Sequence, residues 1–289
     1  MVIKGTTQLL GVIGYPVEHS FSPLMHNAAI ADLGADYAYL PFPIAPSDLE
    51  RAIAGFSAIN LRGFNITIPH KRAIMPLLDE ISETARVIGA VNTVWREGNQ
   101  WHGTNTDAAG FLAPLKVLGR NWANRPAMIL GNGGAAQAVA VACAQLGCPE
   151  IWVAGRSPDK LATFSQSWAA SSEISARLRL IKWAEIDEFL PGAGLVVNAT
   201  PIGMHPRFEA SPLDQQQVGL MAGSAIAYDL IYTPRPTQFL QRASAAGTTA
   251  IDGLEMLIHQ GAAALEIWVG QPAPVEIMRQ TLLDYLASR

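Results

Sequence analysis

The stretch Arg125–Gly147, RPAMILGNGGAAQAVAVACAQLG, decides how this chain is read. A short apolar run, Ala127–Leu130, meets a loop containing Gly131, Gly133 and Gly134, and an Ala-rich helical run follows. A short apolar run bounded by turn residues reads as a buried parallel strand. Between a strand and a helix, the pattern G-x-G-x-x-A carries chemistry. Gly131 makes the turn, Gly133 lets the backbone approach a pyrophosphate, and Ala136 sits where helix meets strand. The helix start adds free amides and the positive end of a dipole. The competing explanation is that the glycines only tighten a βα turn. Further apolar strand candidates, EIWVAG, GLVVNAT and SAIAYDLIY, follow downstream and make a doubly wound pattern.

The first of these strands ends in VAGRSPDK, where charge discriminates between cofactors. NAD readers place an acid near this position for the ribose 2′-hydroxyl, whereas NADP readers place a cation for the 2′-phosphate. Arg156 stands where the acid would be, and Ser157 and Lys160 add a hydroxyl and a second cation. A guanidinium meets a phosphate with two parallel hydrogen bonds, so the loop predicts NADP preference. Asp159 lies in the same loop and has an alternative use as the cap of the next helix.

Upstream, the first hundred residues alternate strand and helix patterns, LLGVIG, SPLMHNAAIADLG, DYAYLPFPI, PSDLERAIAGF and GFNITIP, which argues for a mainly parallel sheet flanked by helices. Ser22 before Pro23 reads as a helix cap, and Gly34 as a stop. In GFNITIPHK, Gly63–Lys71, the residues Phe64, Ile66 and Ile68 alternate with Asn65 and Thr67, the period of a strand with one polar face, ended by Pro69. That face is either solvated, as on an edge strand, or turned toward a site. Leu77–Ala90 reads as helical, Val91–Asp107 as a hairpin around Glu97–Gln100, and a new helix begins near Asp107. From Gly253 onward the pattern is helical with no further strand, and those helices need an apolar surface to cover.

With 289 residues, 49% hydrophobic and 15% charged, the chain fits two compact domains. A formal net charge of -4 with scattered Lys and Arg offers no basic stripe for nucleic acid. The start, MVIKGTTQLLGVIGYP, lacks a continuous apolar leader, and no apolar run reaches membrane-spanning length, so a cytoplasmic location is expected. Cys143 and Cys148 match no metal spacing and read as core thiols; the six histidines are dispersed, so no metal site is expected.

With both halves in view, the order of motifs resembles the shikimate dehydrogenase family. The segments are GYPVEHSFSPLMHN, GFNITIPHK, GAVNTV, GTNTDAAGF, GNGGAA, NATPIGM, YDLIYTP and DGLEMLIHQG, spread over almost the whole chain. The resemblance implies NADP-linked interconversion of 3-dehydroshikimate and shikimate in aromatic amino acid biosynthesis. It implies an N-terminal α/β substrate domain, residues 1–105, completed by C-terminal helices within 253–289, plus a Rossmann NADP-binding domain over 106–252, with the active site in the cleft. Carried over by motif, the acid/base lysine falls on Lys71 and its carboxylate partner on Asp107. Ser20 and Ser22 match the hydroxyls for the substrate carboxylate, and Thr67, Asn92, Tyr232 and Gln260 match the other substrate contacts. The nucleotide loop is Gly131, Asn132, Gly133, Gly134 and Ala135; Arg156, Ser157 and Lys160 match the phosphate group, and Leu230 and Gly253 the nicotinamide end. Three positions depart from the family pattern: Asn132 where Ala is commoner, His70 at a usually apolar place, and Leu230 for a frequent Met.

Reducing a ring ketone creates a developing alkoxide, so a proton donor must stand within hydrogen-bond reach of it. Lys71 suits that role, with Asp107 orienting the amine, Thr67 and Lys71 facing the substrate, and Asn65 supporting the loop through backbone hydrogen bonds. A solvated lysine is the ordinary alternative. The other functions weighed are a quinate/shikimate dehydrogenase with relaxed cofactor use, which Arg156 disfavours, and a non-catalytic ligand-binding paralogue, which has no need of a proton donor. The SFSP and GTNTD segments together disfavour a methylenetetrahydrofolate-type dehydrogenase. The expected partners are the small-molecule substrate and NADP, with no nucleic acid and no membrane, in a monomer or homodimer.

Overall fold

A computed structural model describes residues 2–169 and 171–288. The chain forms two compact units, Met1–Thr106 with Ile258–Arg289, and Asp107–Leu257.

The first unit runs β1 (Gln8–Gly14), α1 (Ser22–Asp32), β2 (Tyr37–Pro43), α2 (Leu49–Ala58), β3 (Gly63–Ile66) and α3 (His70–Ala73). It continues through β4 (Glu80–Ile81), α4 (Glu83–Ile88), β5 (Thr93–Glu97) and β6 (Gln100–Thr104). Its six strands lie in the order β2-β1-β3-β5-β6-β4. The pairs β1/β2 and β1/β3 are parallel, while β3/β5 and the hairpin β5/β6 are antiparallel. Phe56, Phe64 and Trp101 pack in a chain of aromatic contacts on one side of the sheet, with ring centroids 5.3 to 5.5 Å apart.

The second unit begins with α5 (Asp107–Val117), β7 (Ala127–Leu130), α6 (Gly134–Gln145), β8 (Ile151–Gly155), α7 (Pro158–Gln166) and α8 (Ser172–Arg177). Next come β9 (Leu178–Lys182), α9 (Ile186–Phe189), β10 (Leu195–Asn198), α10 (Gln215–Gly219), β11 (Ile226–Asp229), α11 (Gln238–Ala245) and β12 (Thr249–Ile251). Its six strands are all parallel, in the order β12-β11-β10-β7-β8-β9, the doubly wound arrangement that reverses direction between β7 and β10. Every residue of β7, β8, β10 and β11 is buried, as expected for strands covered on both faces. The chain closes with α12 (Gly253–Val269), whose residues from Ile258 onward belong to the first unit, and α13 (Val275–Ala287), which packs on α1.

Four local expectations need correction. β3 stops at Ile66, two residues short of the alternating pattern; Ile68 is 75% exposed. It is an interior strand with all four residues buried, so the polar Asn65 faces neither solvent nor an edge. Ser22 does not cap α1: it is the first helical residue, the cap position is Phe21, and no side-chain cap bond forms. Within Leu77–Ala90 only Glu83–Ile88 is α-helical, because Ser82 supplies the cap by accepting from Ala85 N and Gly89 closes the helix at a φ of 69°. The residues just before it form β4. Finally, β9 and β12 escaped the sequence reading because their exposed, mixed-polarity residues give no apolar run.

Candidate active site

In the first unit, β1 and β3 are parallel neighbours, so the loops leaving their carboxyl ends emerge side by side. Tyr15 N donates to Ile68 O at 3.0 Å, and the side chain of Thr67 closes on Gly14, where a Cβ would leave it no room. The loop after β1 carries Ser20 and Ser22. Ser20 Oγ accepts from Ser22 N at 3.3 Å, so it is Ser20, and not Ser22, that satisfies a free amide at the start of α1. Ser22 itself is buried at 6% exposure.

The loop after β3 carries Thr67 and Lys71, both half-buried. Thr67 is anchored through its backbone, Thr67 N donating to Ile13 O at 2.9 Å and His70 N to Thr67 O at 3.0 Å. His70 fits its usually apolar place because its ring is buried with Nε2 2.7 Å from Ile44 O. Val91 N donates to Lys71 O at 2.8 Å, fixing the lysine beside the GAVNTV segment.

That segment is a buried polar hub. Asn92 Oδ1 accepts from Thr106 N at 2.8 Å and from Thr93 Oγ1 at 2.9 Å; its Nδ2 donates to Thr106 Oγ1 at 3.0 Å and to Gln260 Oε1 at 3.3 Å. Two expected substrate residues, Asn92 and Gln260, are thus in direct contact. Asn65 extends the hub: Nδ2 donates to Asn92 O and Thr93 Oγ1, each at 3.1 Å, while Tyr39 OH donates to Oδ1 at 2.7 Å. Burial pushes the Tyr39 phenol well up. Tyr39 also stacks on His26 at 4.2 Å, and burial lowers His26 to about 4, so the ring is neutral near pH 7. Sequence reasoning passed over Tyr39 and His26, which sit inside quoted motifs but look like ordinary core residues.

In the second unit, the residues expected at a dinucleotide gather at the carboxyl ends of neighbouring parallel strands, the usual ligand edge of such a sheet. Gly131, after β7, has a φ of 106°, and an added Cβ would lie 2.9 Å from Thr200 Cγ2. The loop needs glycine here for its own sake. At Gly133 and Gly134 an added Cβ would meet nothing within 4 Å, so packing inside the protein does not explain them. Together with Ala135 they are exposed, and Ala136 is fully buried against the sheet. Asn132 Nδ2 is buried with no hydrogen-bond partner among the described residues, a donor waiting in the loop for an acceptor.

After β8, Arg156 and Lys160 are exposed, and neither forms an ion pair among the described residues. Ser157 caps α7, its Oγ accepting from Lys160 N at 3.4 Å, so Asp159 is not the cap. The orphaned Asn132 amide, the open glycines and the two unpaired cations fit a dinucleotide bearing an extra phosphate.

After β11, Asp229 ties the next loop together. It accepts from Thr237 Oγ1 at 2.7 Å and from Asn198 Nδ2 and Ile231 N at 3.0 Å. Burial nonetheless pushes its carboxyl up to about 6. This loop holds Leu230 and Tyr232, the latter with its phenol raised by burial. Gly253 has its N 3.1 Å from Ile231 O, and its Cα lies so close to the Leu230 carbonyl that no side chain fits. Asp107 is the first residue of α5 and is 8% exposed; the residues before it are tied down by Asn105 Nδ2, which donates to Ala90 O at 2.9 Å, and by Thr106 on Asn92. Among the described residues no three His, Cys, Asp or Glu side chains group as a metal site, and no helix is long and apolar enough to cross a membrane.

An all-parallel doubly wound sheet with a glycine phosphate loop, joined in one chain to a second α/β unit carrying a lysine loop and a polar hub, defines a dinucleotide-dependent oxidoreductase. Residues 12–94 match the shikimate dehydrogenase substrate binding domain and residues 253–283 the shikimate 5′-dehydrogenase C-terminal domain. The shikimate dehydrogenase (NADP(+)) of Synechocystis sp. is 57% identical over 284 residues, covering 98% of each chain. The crystal structure of shikimate 5-dehydrogenase from Thermus thermophilus in complex with NADP(H) and shikimate is similar at a TM-score of 0.84 and 35% identity, covering 96% of this chain and 99% of that one. A 5-ketofructose reductase of Gluconobacter sp. is also similar, with a TM-score of 0.87 and 33% identity over 98% of this chain and 100% of that one. The chain belongs to the shikimate dehydrogenase family.

Proposed function

We propose that the protein catalyses the reversible NADP-dependent reduction of 3-dehydroshikimate to shikimate, with Lys71 and Asp107 as its catalytic pair. The observation that carries this reading is the 57% identity over 98% of both chains to a shikimate dehydrogenase (NADP(+)). When bound, the reduced nicotinamide supplies the hydride. Lys71 stabilises the negative charge that develops on the ketone oxygen and delivers its proton; in the oxidative direction the neutral amine takes a proton back. Asp107 orients that amine and accepts from a substrate hydroxyl. Ser20 and Ser22 hold the substrate carboxylate, and Thr67, Asn92, Tyr232 and Gln260 meet the ring hydroxyls. A substrate lacking a hydroxyl leaves these groups unpaired and is penalised.

On the cofactor side, Gly131 to Ala135 cradle the pyrophosphate through backbone amides, Asn132 Nδ2 adding a donor. Arg156 and Lys160 take the 2′-phosphate; Ser157 serves it through the position of its loop, since its hydroxyl is engaged in capping. Leu230 and Gly253 line the nicotinamide end. The protein acts in the cytoplasm, as a monomer or homodimer. Initial rates with shikimate and with quinate, each against NADP and NAD, test the assignment. Turnover led by shikimate with NADP is expected, and equal use of quinate or of NAD refutes the specificity.

A further inference from the structure

A cavity of about 300 Å³ lies within the first unit, lined by Arg62, Trp95, Arg96, Glu97, Ile267 and Trp268. None of these residues has a role in the chemistry above. Arg62 and Arg96 stand opposite one another where the β3/β5 ladder runs past its Gly63–Trp95 pair, Arg96 N donating to Arg62 O at 3.0 Å. Like charges on facing positions repel, and neither guanidinium has a carboxylate partner among the described residues. Arg96 reaches only neutral acceptors, Ser57 O, Asn60 Oδ1 and Asn99 Oδ1, at 3.0 to 3.2 Å. Arg62 Nε is buried with no hydrogen-bond partner among the described residues.

Seven buried side-chain nitrogen or oxygen atoms lack a hydrogen-bond partner among the described residues, and three of them cluster here: Arg62 Nε, Arg96 Nε and His102 Nε2. His102 stacks on Trp95 at 5.5 Å, and its Nε2 lies 3.9 Å from Glu97 Oε2. Buried donors without acceptors are costly, and guanidinium donors are best answered by a carboxylate or phosphate. The two tryptophans have already spent their N–H groups, Trp95 Nε1 on Glu97 at 2.7 Å and Trp268 Nε1 on Val94 O at 2.9 Å. What their rings still offer is flat apolar surface. Glu97 is the single acid on the wall, so the formal charge of the lining stays positive.

We propose that this cavity is a binding site for a small planar carboxylate, held by the Arg62 and Arg96 guanidiniums against the Trp95 and Trp268 rings. Its volume sits at the lower end for small-molecule sites, which suits a single ring rather than a nucleotide. The site is independent of the catalytic reading, because none of its residues belongs to the substrate or cofactor set.

The test is calorimetric titration of the full chain with sodium benzoate in the presence of saturating shikimate, which occupies the substrate carboxylate site. Saturable binding is expected, weakened roughly tenfold or more by Arg62→Gln and by Arg96→Gln and less by Arg62→Lys. Binding is also expected to be weakened by Trp95→Leu and unchanged by Ser22→Ala. Turnover in Arg62→Gln stays within about two-fold of wild type. Absence of saturable binding, equal binding of uncharged benzamide, or benzoate affinity untouched by Arg62→Gln overturns the proposal. Equal affinity for inorganic phosphate removes the planar part of it, and loss of benzoate binding in Ser22→Ala assigns the ligand to the substrate site instead.

Discussion

Replacing Gly131 and Gly133 by alanine separates what the nucleotide loop needs for folding from what it keeps open for a ligand. Gly131 has a φ of 106°, and a Cβ there would sit 2.9 Å from Thr200 Cγ2 and 3.1 Å from the Ala199 carbonyl oxygen. A non-glycine residue in so sparsely populated a conformation costs about 1–3 kcal/mol before the backbone contact is counted. At about 2–4 °C per kcal/mol for a unit of this size, Gly131→Ala should melt roughly 2–12 °C below wild type. Gly133→Ala behaves differently, because its Cβ meets nothing within 4 Å and its φ of -85° suits alanine. Its stability should lie between no change and a gain of about 1 kcal/mol. Yet that methyl occupies the approach to the loop amides, so NADPH affinity should fall by tenfold or more, about 1.4 kcal/mol. Scanning fluorimetry reads the first effect and fluorescence titration with NADPH the second. If Gly133→Ala binds NADPH like wild type, the glycines serve only the turn and the phosphate assignment fails.

Other consequences follow from the same geometry. Arg156→Ala should erase most of the preference for NADP over NAD, since its cation forms no ion pair among the described residues; unchanged discrimination in paired kcat/KM measurements refutes this. Ser22→Ala should raise KM for shikimate and also lose the buried Ser22 hydrogen bond to the Tyr39 phenol, while Ser20→Ala should cost about 0.5–1 kcal/mol, because Ser20 Oγ accepts from Ser22 N. A Ser20→Ala melting temperature equal to that of wild type would show that this bond contributes nothing. The Asp229 carboxyl is raised to about 6 from 3.8, so the folded state holds the proton more tightly than the unfolded one. Its stabilising contribution is complete below about pH 4 and is lost as pH rises through about 6. Wild type should therefore lose on the order of 3 kcal/mol relative to Asp229→Asn between those limits. Urea unfolding across that range that shows a constant difference disproves the assignment.

The second unit was legible because its central strands are short apolar runs punctuated by glycine and by Asn–Ala–Thr–Pro or Asp–Leu–Ile–Tyr loops. Ala127–Leu130 appears as a strand with those same bounds. Edge strands gave no such signal: in β9 only Ile181 is buried, and Arg179 and Lys182 interrupt the apolar residues. In the first unit the alternation at Gly63–Ile68 was misleading, because a polar residue on an interior strand breaks the link between polarity and exposure. Asn65 is buried by partners from other segments, Tyr39, Asn92 and Thr93, and sequence spacing carries no information about contacts across 26 to 28 residues. Its expected role of supporting the loop by backbone bonds was half the account, since Asn92 O is one of several partners. Helix starts were misjudged for a related reason. Ser22–Pro23 and Ser157–Pro158 look alike in sequence, but only Ser157 has its oxygen directed at an amide of the following turn.

The most direct test of the account is steady-state kinetics of Lys71→Met with shikimate and NADP. If Lys71 moves the proton, kcat falls roughly 10²- to 10⁴-fold while KM stays within a few-fold. A variant that keeps most of its turnover would show that another group does the acid/base work and would contradict the mechanism.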